Sequence, residues 1–263
     1  MRRLLRRFDA VELAWISVLG SIVVLGALTT LTGRFAGLPD VAFHDVAWLR
    51  EKYGPHRYSQ FEEEWIIRDF FKDRPGGFFV DVGANHYRDY SNTYYLEKTL
   101  GWSGVAIDAN ADFGPDYVRH RPRTKFFAYF VSDTSGLNAQ LHVLSENPLV
   151  SSSEKGFTDS WGKGAQARSV PTITLDALLA GQEVRSLDLL SMDIELGEPK
   201  ALAGFDVARF RPSLVCIEAH RAVVQQILDY FARHAYVIVG KYVRADTHNL
   251  YFTPLEPQPR PLQ

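Results

Sequence analysis

The chain has 263 residues, which is enough for one full-sized globular domain and a short extension. Its 29 basic and 31 acidic residues give a formal net charge of −2, so the charge balance offers no attraction for nucleic acid and predicts no nucleic-acid partner. The single cysteine, Cys216, lies in an apolar run, which predicts a buried core thiol and excludes a disulfide framework or a zinc site of paired cysteines.

The N-terminal segment differs in kind from the rest of the chain. Residues 1–12 form a basic flank with four arginines, and residues 13–31 contain no charged side chain. Because roughly 20 apolar residues cross a bilayer core, we expect residues 13–31 to form a single-pass membrane anchor. A buried soluble helix and a cleaved signal peptide are the alternatives. The flank favours a cytoplasmic N-terminus, but basic residues also follow the anchor, so the side of the globular domain is left open.

The remainder of the chain reads as one α/β domain. Residues 32–57 contain several glycines and prolines and are interpreted as a linker and lead-in. Across residues 58–253, short apolar runs alternate with helical patterns, which predicts a doubly wound, mainly parallel sheet with helices on both faces and an antiparallel pair at one edge. Residues 254–263 contain four prolines and are expected to be a disordered tail. The strands are predicted at 78–82, 105–108, 125–131, 187–192, 213–217, 236–242 and 250–252, and the helices at 61–71, 92–100, 112–119, 174–180, 198–203 and 223–234.

A polar stretch rich in glycine and serine separates the third and fourth predicted strands. It covers residues 145–170 and contains Trp161. A long insertion beside the carboxyl ends of strands predicts either a lid or substrate-binding loop, or a variable surface loop.

Two predicted strands bring acidic residues to the same edge of the sheet. The strand 78–82 contains Asp81 and precedes Gly83, and the strand 105–108 ends at Asp108. Ligands of open α/β sheets bind outside the carboxyl ends of strands, where Gly83 permits close approach and Asp108 can accept hydrogen bonds from a ribose. The turn lacks the three glycines of a dinucleotide fingerprint and the lysine of a P-loop. The sequence therefore predicts a nucleoside without phosphates, with S-adenosylmethionine the first choice and a nicotinamide-dependent oxidoreductase the alternative.

A second cluster follows the fourth and fifth strands. Asp193 and Glu195 end one strand, and Glu218 and His220 end the next. Residues two apart in a strand share a face, so each pair can point into the same crevice. Imidazole accepts protons near neutral pH, which makes His220 the first choice of general base. The alternatives are an ion-paired cluster that supports the sheet edge, or a divalent cation, not expected here, bound by Asp193, Glu218, His220 and His248.

Several segments, in this order and spacing, resemble the FkbM-type family of S-adenosylmethionine-dependent methyltransferases. The resemblance runs from about residue 58 to residue 252. It implies a Rossmann-like fold of the class I methyltransferase type, S-adenosylmethionine as cofactor, and methyl transfer to oxygen, with a sugar hydroxyl on a glycan, glycolipid or secondary metabolite as acceptor. The matching segments are 59–63 (SQFEE), 80–85 (VDVGAN), 91–97, 101–110 (GWSGVAIDAN), 174–178, 191–195 (SMDIE), 203–206 and 211–212.

The resemblance also suggests roles for individual residues. The catalytic set is His220, Glu195, Asp193 and Glu218. The cofactor set is Asp81, Gly83 and Asn85 at the methionine end, Asp108 at the ribose, Ser132 and Asp133 beside the adenine, and Gln60 and Asn92 to complete the pocket. Two of these have simpler alternatives, because Asn92 can cap a helix and Asp133 can begin a turn.

One position departs from the family pattern. The family usually has a glycine directly after the Asp-x-Glu of the fourth strand, whereas this chain has Leu196 there and Gly197 next. A bulkier residue in this turn is expected to reshape the acceptor pocket. It also keeps open a further alternative, an inactive, membrane-tethered domain that binds a nucleoside.

Overall fold

The computed structural model describes residues 44–144, 147–152 and 155–256. The predicted anchor at 13–31, its basic flank and most of the predicted tail lie outside these residues. Within the described ranges, no helix combines the length and the apolar character needed to cross a membrane.

The main sheet confirms the predicted α/β architecture. Its strands are parallel except β11 (Asn249–Pro254), which runs antiparallel to both of its neighbours. The antiparallel edge was predicted from the two closely spaced C-terminal strands. In spatial order the sheet contains β10 (Tyr236–Ile238), β11, β9 (Leu214–Glu218), β8 (Leu189–Met192), β1 (Phe78–Val82), β2 (Ser103–Asp108) and β3 (Thr124–Ala128).

Helices cover both faces of this sheet. The helices after β7 (Gln166–Ile173) pack on one face, and those before β3 pack mainly on the other. The predicted helices are confirmed with ends shifted by up to two residues, whereas α1 forms in the segment interpreted as a linker. The helices are α1 (Val46–Tyr53), α2 (Glu63–Phe71), α3 (Tyr94–Lys98), α4 (Gly114–His120), α5 (Lys155–Trp161), α6 (Leu175–Gly181), α7 (Glu198–Ala203), α8 (Val207–Phe210) and α9 (Val224–Arg233).

The central strands are apolar on both faces because both faces are covered. Along β1, Val80 and Val82 enter one core, and Phe79, the residue before Val80, enters the other. The same alternation in β9 buries the thiol of Cys216, as predicted. A strand buried on both sides reads as a continuous apolar run, which is why these strands were predictable.

The predicted third strand at 125–131 is confirmed only over its first part, β3, and the stretch at 145–170 that was predicted as a loop contains strands and a helix. The chain leaves the main sheet after β3, and β4 (Phe130–Val131) begins a second sheet. The apolar face of this sheet is small, with Leu141, Val143 and Val170 at its centre, so the rest of the sequence there looks polar. The second sheet contains, in spatial order, β4, β7, β5 (Asn138–Leu144) and β6 (Asn147–Ser152).

The turn after β1 is fixed by a contact with the end of β8. Gly83 has φ +80°, and a Cβ added to it would lie 1.7 Å from the carbonyl oxygen of Asp193. Gly136, in an open turn, has almost the same φ of +81° but no atom within 4 Å of the added Cβ. The two glycines therefore separate the effect of close approach from the effect of backbone conformation.

We expect Gly83→Ala to destabilise the fold far more than Gly136→Ala. The left-handed conformation alone costs about 1–2 kcal/mol for a non-glycine residue, and the clash at Gly83 adds at least roughly 2 kcal/mol. Urea unfolding of both variants measures the difference in unfolding free energy. Equal losses would show that the approach of β1 to β8 is not tight.

Candidate active site

The candidate site lies at the point where the sheet changes direction. The chain runs from β1 outward to β2 and β3, then returns to β8 on the other side of β1. Open α/β sheets bind ligands in the crevice at this switch point. A cavity opens there, with Gly83, Asn85, Asp108, Asp193 and Glu195 in its lining.

Asp108 at the end of β2 is oriented by the backbone. Its Oδ2 accepts a hydrogen bond from the Asn85 amide at 2.9 Å, and its Oδ1 accepts one from the Asn110 amide at 2.7 Å. Burial is the main cause that raises the pKa of Asp108 to about 6, and the charges of Asp81 and Asp193 add to it. Each carboxylate oxygen keeps a free lone pair, so Asp108 can accept two further hydrogen bonds.

Two of the predicted methionine-end residues, Asp81 and Gly83, line a polar pocket beside this cavity, whereas Asn85 lines the cavity itself. Asp81 is buried and accepts a hydrogen bond from the Thr93 hydroxyl at 2.7 Å. Its burial raises the pKa of the carboxyl. The side-chain amide of Asn92 donates to the Ser191 hydroxyl at 3.0 Å, and the residue at the N-cap position of α3 is Thr93 rather than Asn92. The pocket is lined by Gln60, Glu63, Asp81, Gly83, Ala84, Tyr90, Asn92, Ser191 and Asp193.

The structure does not bring Ser132 and Asp133 to this cavity. Asp133 lines a separate cleft with Thr174 and Arg233, and Ser132 is buried, with its backbone amide bonded to the Ile173 carbonyl. The reason is the break in the predicted third strand, since β4 turns into the second sheet and carries both residues away. The apolar wall of the cavity is instead made of Val131, Phe130 and Leu141.

The predicted catalytic residues form one cluster in a cleft that continues from the cavity. His220 Nε2 lies 3.1 Å from Glu195 Oε2 and 3.1 Å from Glu218 Oε1. Asp193 lies next to Glu218, and burial raises the pKa of its own carboxyl. Burial together with the neighbouring acids raises the pKa of Glu195 to about 8 and the pKa of Glu218 well above its usual range. This cluster can hold and exchange protons near neutral pH.

A family model of the methyltransferase FkbM domain matches residues 81–238, which is more than half of the chain. The chain belongs to this family. The match begins in β1 and ends in β10, so it contains the acids of the cavity and the cluster around His220. A comparison with curated proteins gives no match.

Solved structures also show similarity to this FkbM domain. One is a TehB-like SAM-dependent methyltransferase from Corynebacterium glutamicum (14% identity, 78% of this chain and 92% of that chain, TM-score 0.42). Another is a precorrin-6y C5,15-methyltransferase from Geobacter metallireducens (10% identity, 82% of this chain and 94% of that chain, TM-score 0.42). A third is a SAM-dependent methyltransferase from Geobacter sulfurreducens in complex with S-adenosyl-L-homocysteine (12% identity, 75% of this chain and 73% of that chain, TM-score 0.37). These structures share the fold with this chain, and its membership of the FkbM family rests on the family model.

The turn that departs from the family pattern is conformationally unusual. Glu195 and Leu196 have φ of +53° and +77°, a region that favours the glycine of the family at the second position. The Glu198 carboxylate supports the turn by accepting the Ile194 amide at 3.0 Å. The Leu196 side chain packs against the core cluster and does not line the cleft described above.

The arrangement also allows a divalent cation at part of the predicted metal set. Ligand atoms of Glu195, Glu218 and His220 lie within 4.8 Å of one another. Two carboxylates and an imidazole are ligands that several divalent cations accept. His248 is outside this set and stacks on Phe61, with ring centroids 3.9 Å apart.

Sequence reasoning missed several lining residues. Glu63, Tyr90 and Asn249 reach the site from the lead-in, the turn before α3, and the edge strand. Tyr90 is 53% exposed, and Trp161, which was noted in the insertion, is 61% exposed at the rim of the cleft. None of these positions carries a local motif of its own except Glu63, which belongs to the SQFEE segment.

We expect the ligand-free domain to lose stability as the pH rises from 5.5 to 8.5. The pKa values are raised to about 8 for Glu63 and Glu195, about 7 for Glu198 and about 6 for Asp108. The folded chain therefore binds more protons than the unfolded chain above pH ~4, and unfolding free energy falls with pH until these groups have titrated. The melting temperature should fall by roughly 5 °C, the change that ~2 kcal/mol gives in a domain of this size.

Two variants serve as controls for this pH dependence. Glu195→Gln removes one titrating carboxyl and should flatten the decline, whereas Asp116→Asn changes an exposed carboxyl in α4 and should leave it unchanged. A melting temperature that rises over the same pH range would contradict the assignment.

Proposed function

We propose that this FkbM domain is an S-adenosylmethionine-dependent methyltransferase that acts on an acceptor oxygen. The observation that carries the proposal is the charge of the cavity. Asp108 and Asp193 line it, Asp81 lines the adjoining polar pocket, and no lysine or arginine is among the described lining residues of either. Such a cavity attracts the positive sulfonium and ammonium groups of S-adenosylmethionine and repels the pyrophosphate of a dinucleotide.

The residues present fit this cofactor along its length. Asp108 has the free lone pairs to accept both ribose hydroxyls, and it is already fixed by two backbone amides. The apolar wall of Phe130, Val131 and Leu141 suits a flat base. The polar pocket around Asp81 and the amides of Gln60 and Asn92 suit an amino-acid end.

The protein's task is to position the acceptor and to remove its proton. S-adenosylmethionine supplies an electrophilic methyl group when bound. We assign His220 as the general base that takes the proton from the acceptor hydroxyl. Glu195 and Glu218, each 3.1 Å from Nε2, then stabilise the imidazolium. The positive charge of S-adenosylmethionine bound in the adjoining cavity would lower the pKa of the Glu195 and Glu218 carboxyls and favour their charged forms.

The acceptor we propose is a sugar hydroxyl on a glycan, glycolipid or secondary metabolite. The cleft combines carboxylates, which accept hydrogen bonds from hydroxyl groups, with the exposed rings of Tyr90 and Trp161 at its rim. The family resemblance supports the same class. The apolar run at 13–31 further supports a membrane anchor that would hold the domain near a membrane-bound acceptor.

Two variants should separate cofactor binding from chemistry. Asp108→Ala should weaken S-adenosylmethionine binding at least roughly 30-fold, because two hydrogen bonds to a charged acceptor are lost. His220→Gln should keep the affinity within about twofold but lower turnover by roughly 10²–10⁴-fold, the usual contribution of a general base. Calorimetry on the full chain gives the affinities, and transfer of a radiolabelled methyl group to a panel of glycosides gives turnover.

The wild-type chain and the circular dichroism spectrum of each variant are the controls. Unchanged turnover in His220→Gln would remove the base role, and unchanged affinity in Asp108→Ala would remove the ribose contact.

A further inference from the structure

Glu63 is the acid of the SQFEE segment that the proposed mechanism does not use. It is the first residue of α2, and its side chain is only 4% exposed. It lines both the polar pocket around Asp81 and the cleft around His220. A buried carboxyl at the junction of two functional cavities needs a physical explanation.

The Glu63 carboxylate is held in one orientation from two sides. Its Oε2 accepts a hydrogen bond from the Phe61 amide at 2.7 Å. Its Oε1 accepts one from the side-chain amide of Asn249 at 3.1 Å, and the same amide donates to Asp246 at 3.1 Å. α2 and β11 thus fix Glu63 before any ligand arrives.

No cation balances this carboxylate in the described part of the chain. None of the described lysines, arginines or histidines lies within ion-pair distance of it. The charged groups that act on it are acids: Asp246 from the turn before β11 and Asp193 from just beyond the end of β8. Burial and these acids raise the pKa of Glu63 to about 8. A buried carboxylate in such a place becomes favourable only with a positive partner.

We propose that Glu63 binds the α-ammonium group of S-adenosylmethionine. This proposal rests on the proposed function and extends it to a further residue of the cofactor site. An ammonium group has three N–H donors, and the lone pairs of Glu63 and Asp81 face the same pocket. A sulfonium has no N–H to donate, so the hydrogen-bonding capacity of this pocket matches the amino-acid end. Glu63 then helps to set the position of the methyl group relative to the acceptor cleft that it also lines.

The proposal predicts that cofactor binding releases a proton. At pH 7 the free carboxyl of Glu63 is mostly protonated, since its pKa is raised to about 8. An ammonium group beside it favours the carboxylate, so the proton leaves when the ligand binds.

The test compares three ligands on the full chain by calorimetry: S-adenosylmethionine, S-adenosylhomocysteine and 5′-methylthioadenosine. The last lacks the amino-acid group. Glu63→Gln should weaken binding of the first two at least roughly tenfold, because a hydrogen bond between charged groups is lost. The same variant should bind 5′-methylthioadenosine with an affinity within about twofold of wild type, because this ligand has no ammonium group. Glu62→Gln is the matched control, since Glu62 pairs with Arg57 at 3.7 Å and does not line the pocket, and it should change none of the three.

The proton count gives a readout that a structural role would not move. Titrations at pH 7 in two buffers of different ionisation enthalpy should show that wild type releases close to one proton more than Glu63→Gln with S-adenosylmethionine. The unaltered chain alone should release more protons with S-adenosylhomocysteine than with 5′-methylthioadenosine. Both ligands lack the sulfonium charge and only the first has the amino-acid group, so the test survives a variant that fails to fold.

The outcomes separate this proposal from the one on which it rests. If wild type binds none of the three ligands, the cofactor assignment fails and this inference with it. If wild type binds S-adenosylmethionine and Glu63→Gln binds it equally well, only the Glu63 inference is overturned. Equal weakening for all three ligands, with an unchanged proton count, would give Glu63 a structural role and would also overturn it.

Discussion

The contact between Gly83 and the Asp193 carbonyl oxygen determines where the acids of this molecule meet. There is no space for a Cβ between the ends of β1 and β8, so the two strands finish side by side. Asp81, near the end of β1, and Asp193, just beyond β8, therefore open onto one pocket. β2 and β9 flank this pair of strands and add Asp108 on one side and the His220 cluster on the other. A wider separation would divide the site into unrelated surface groups.

Bringing these carboxyls together with no lysine or arginine among the described lining residues has an energetic cost that a ligand can offset. The pKa of Glu63, Asp108, Glu195 and Glu198 is raised in each case mainly by burial, with neighbouring acids contributing. Like charges in a low-dielectric site destabilise each other, and a bound cation reverses that effect. The same electrostatics underlies the proposed preference for a cationic nucleoside, the predicted pH dependence of stability and the proposed proton exchange at the His220 cluster.

The parts of the fold that sequence could predict are those with a strong local signal. β1, β8 and β9 are apolar on both faces, and Asp81, Asp108 and Asp193 lie at or near the ends of such runs. The second sheet was missed because Leu141 and Val170 form only a small apolar face in a polar sequence. Ser132 and Asp133 were misplaced for the same reason, since the break between β3 and β4 carries no signal. Glu63 reaches the site only through the packing of α2, and Asn249 only through the pairing of β11 with β9.

The most direct test of the account is the charge preference of the cavity. Calorimetric titration of the full chain with S-adenosylmethionine, S-adenosylhomocysteine and NAD at low salt compares ligands that share the adenosine group but differ in charge. The account predicts that S-adenosylmethionine binds more tightly than S-adenosylhomocysteine, because the sulfonium adds a positive charge, and that NAD binding is not detected. Preferential binding of NAD, or no binding of either sulfur ligand to the folded chain, would contradict it.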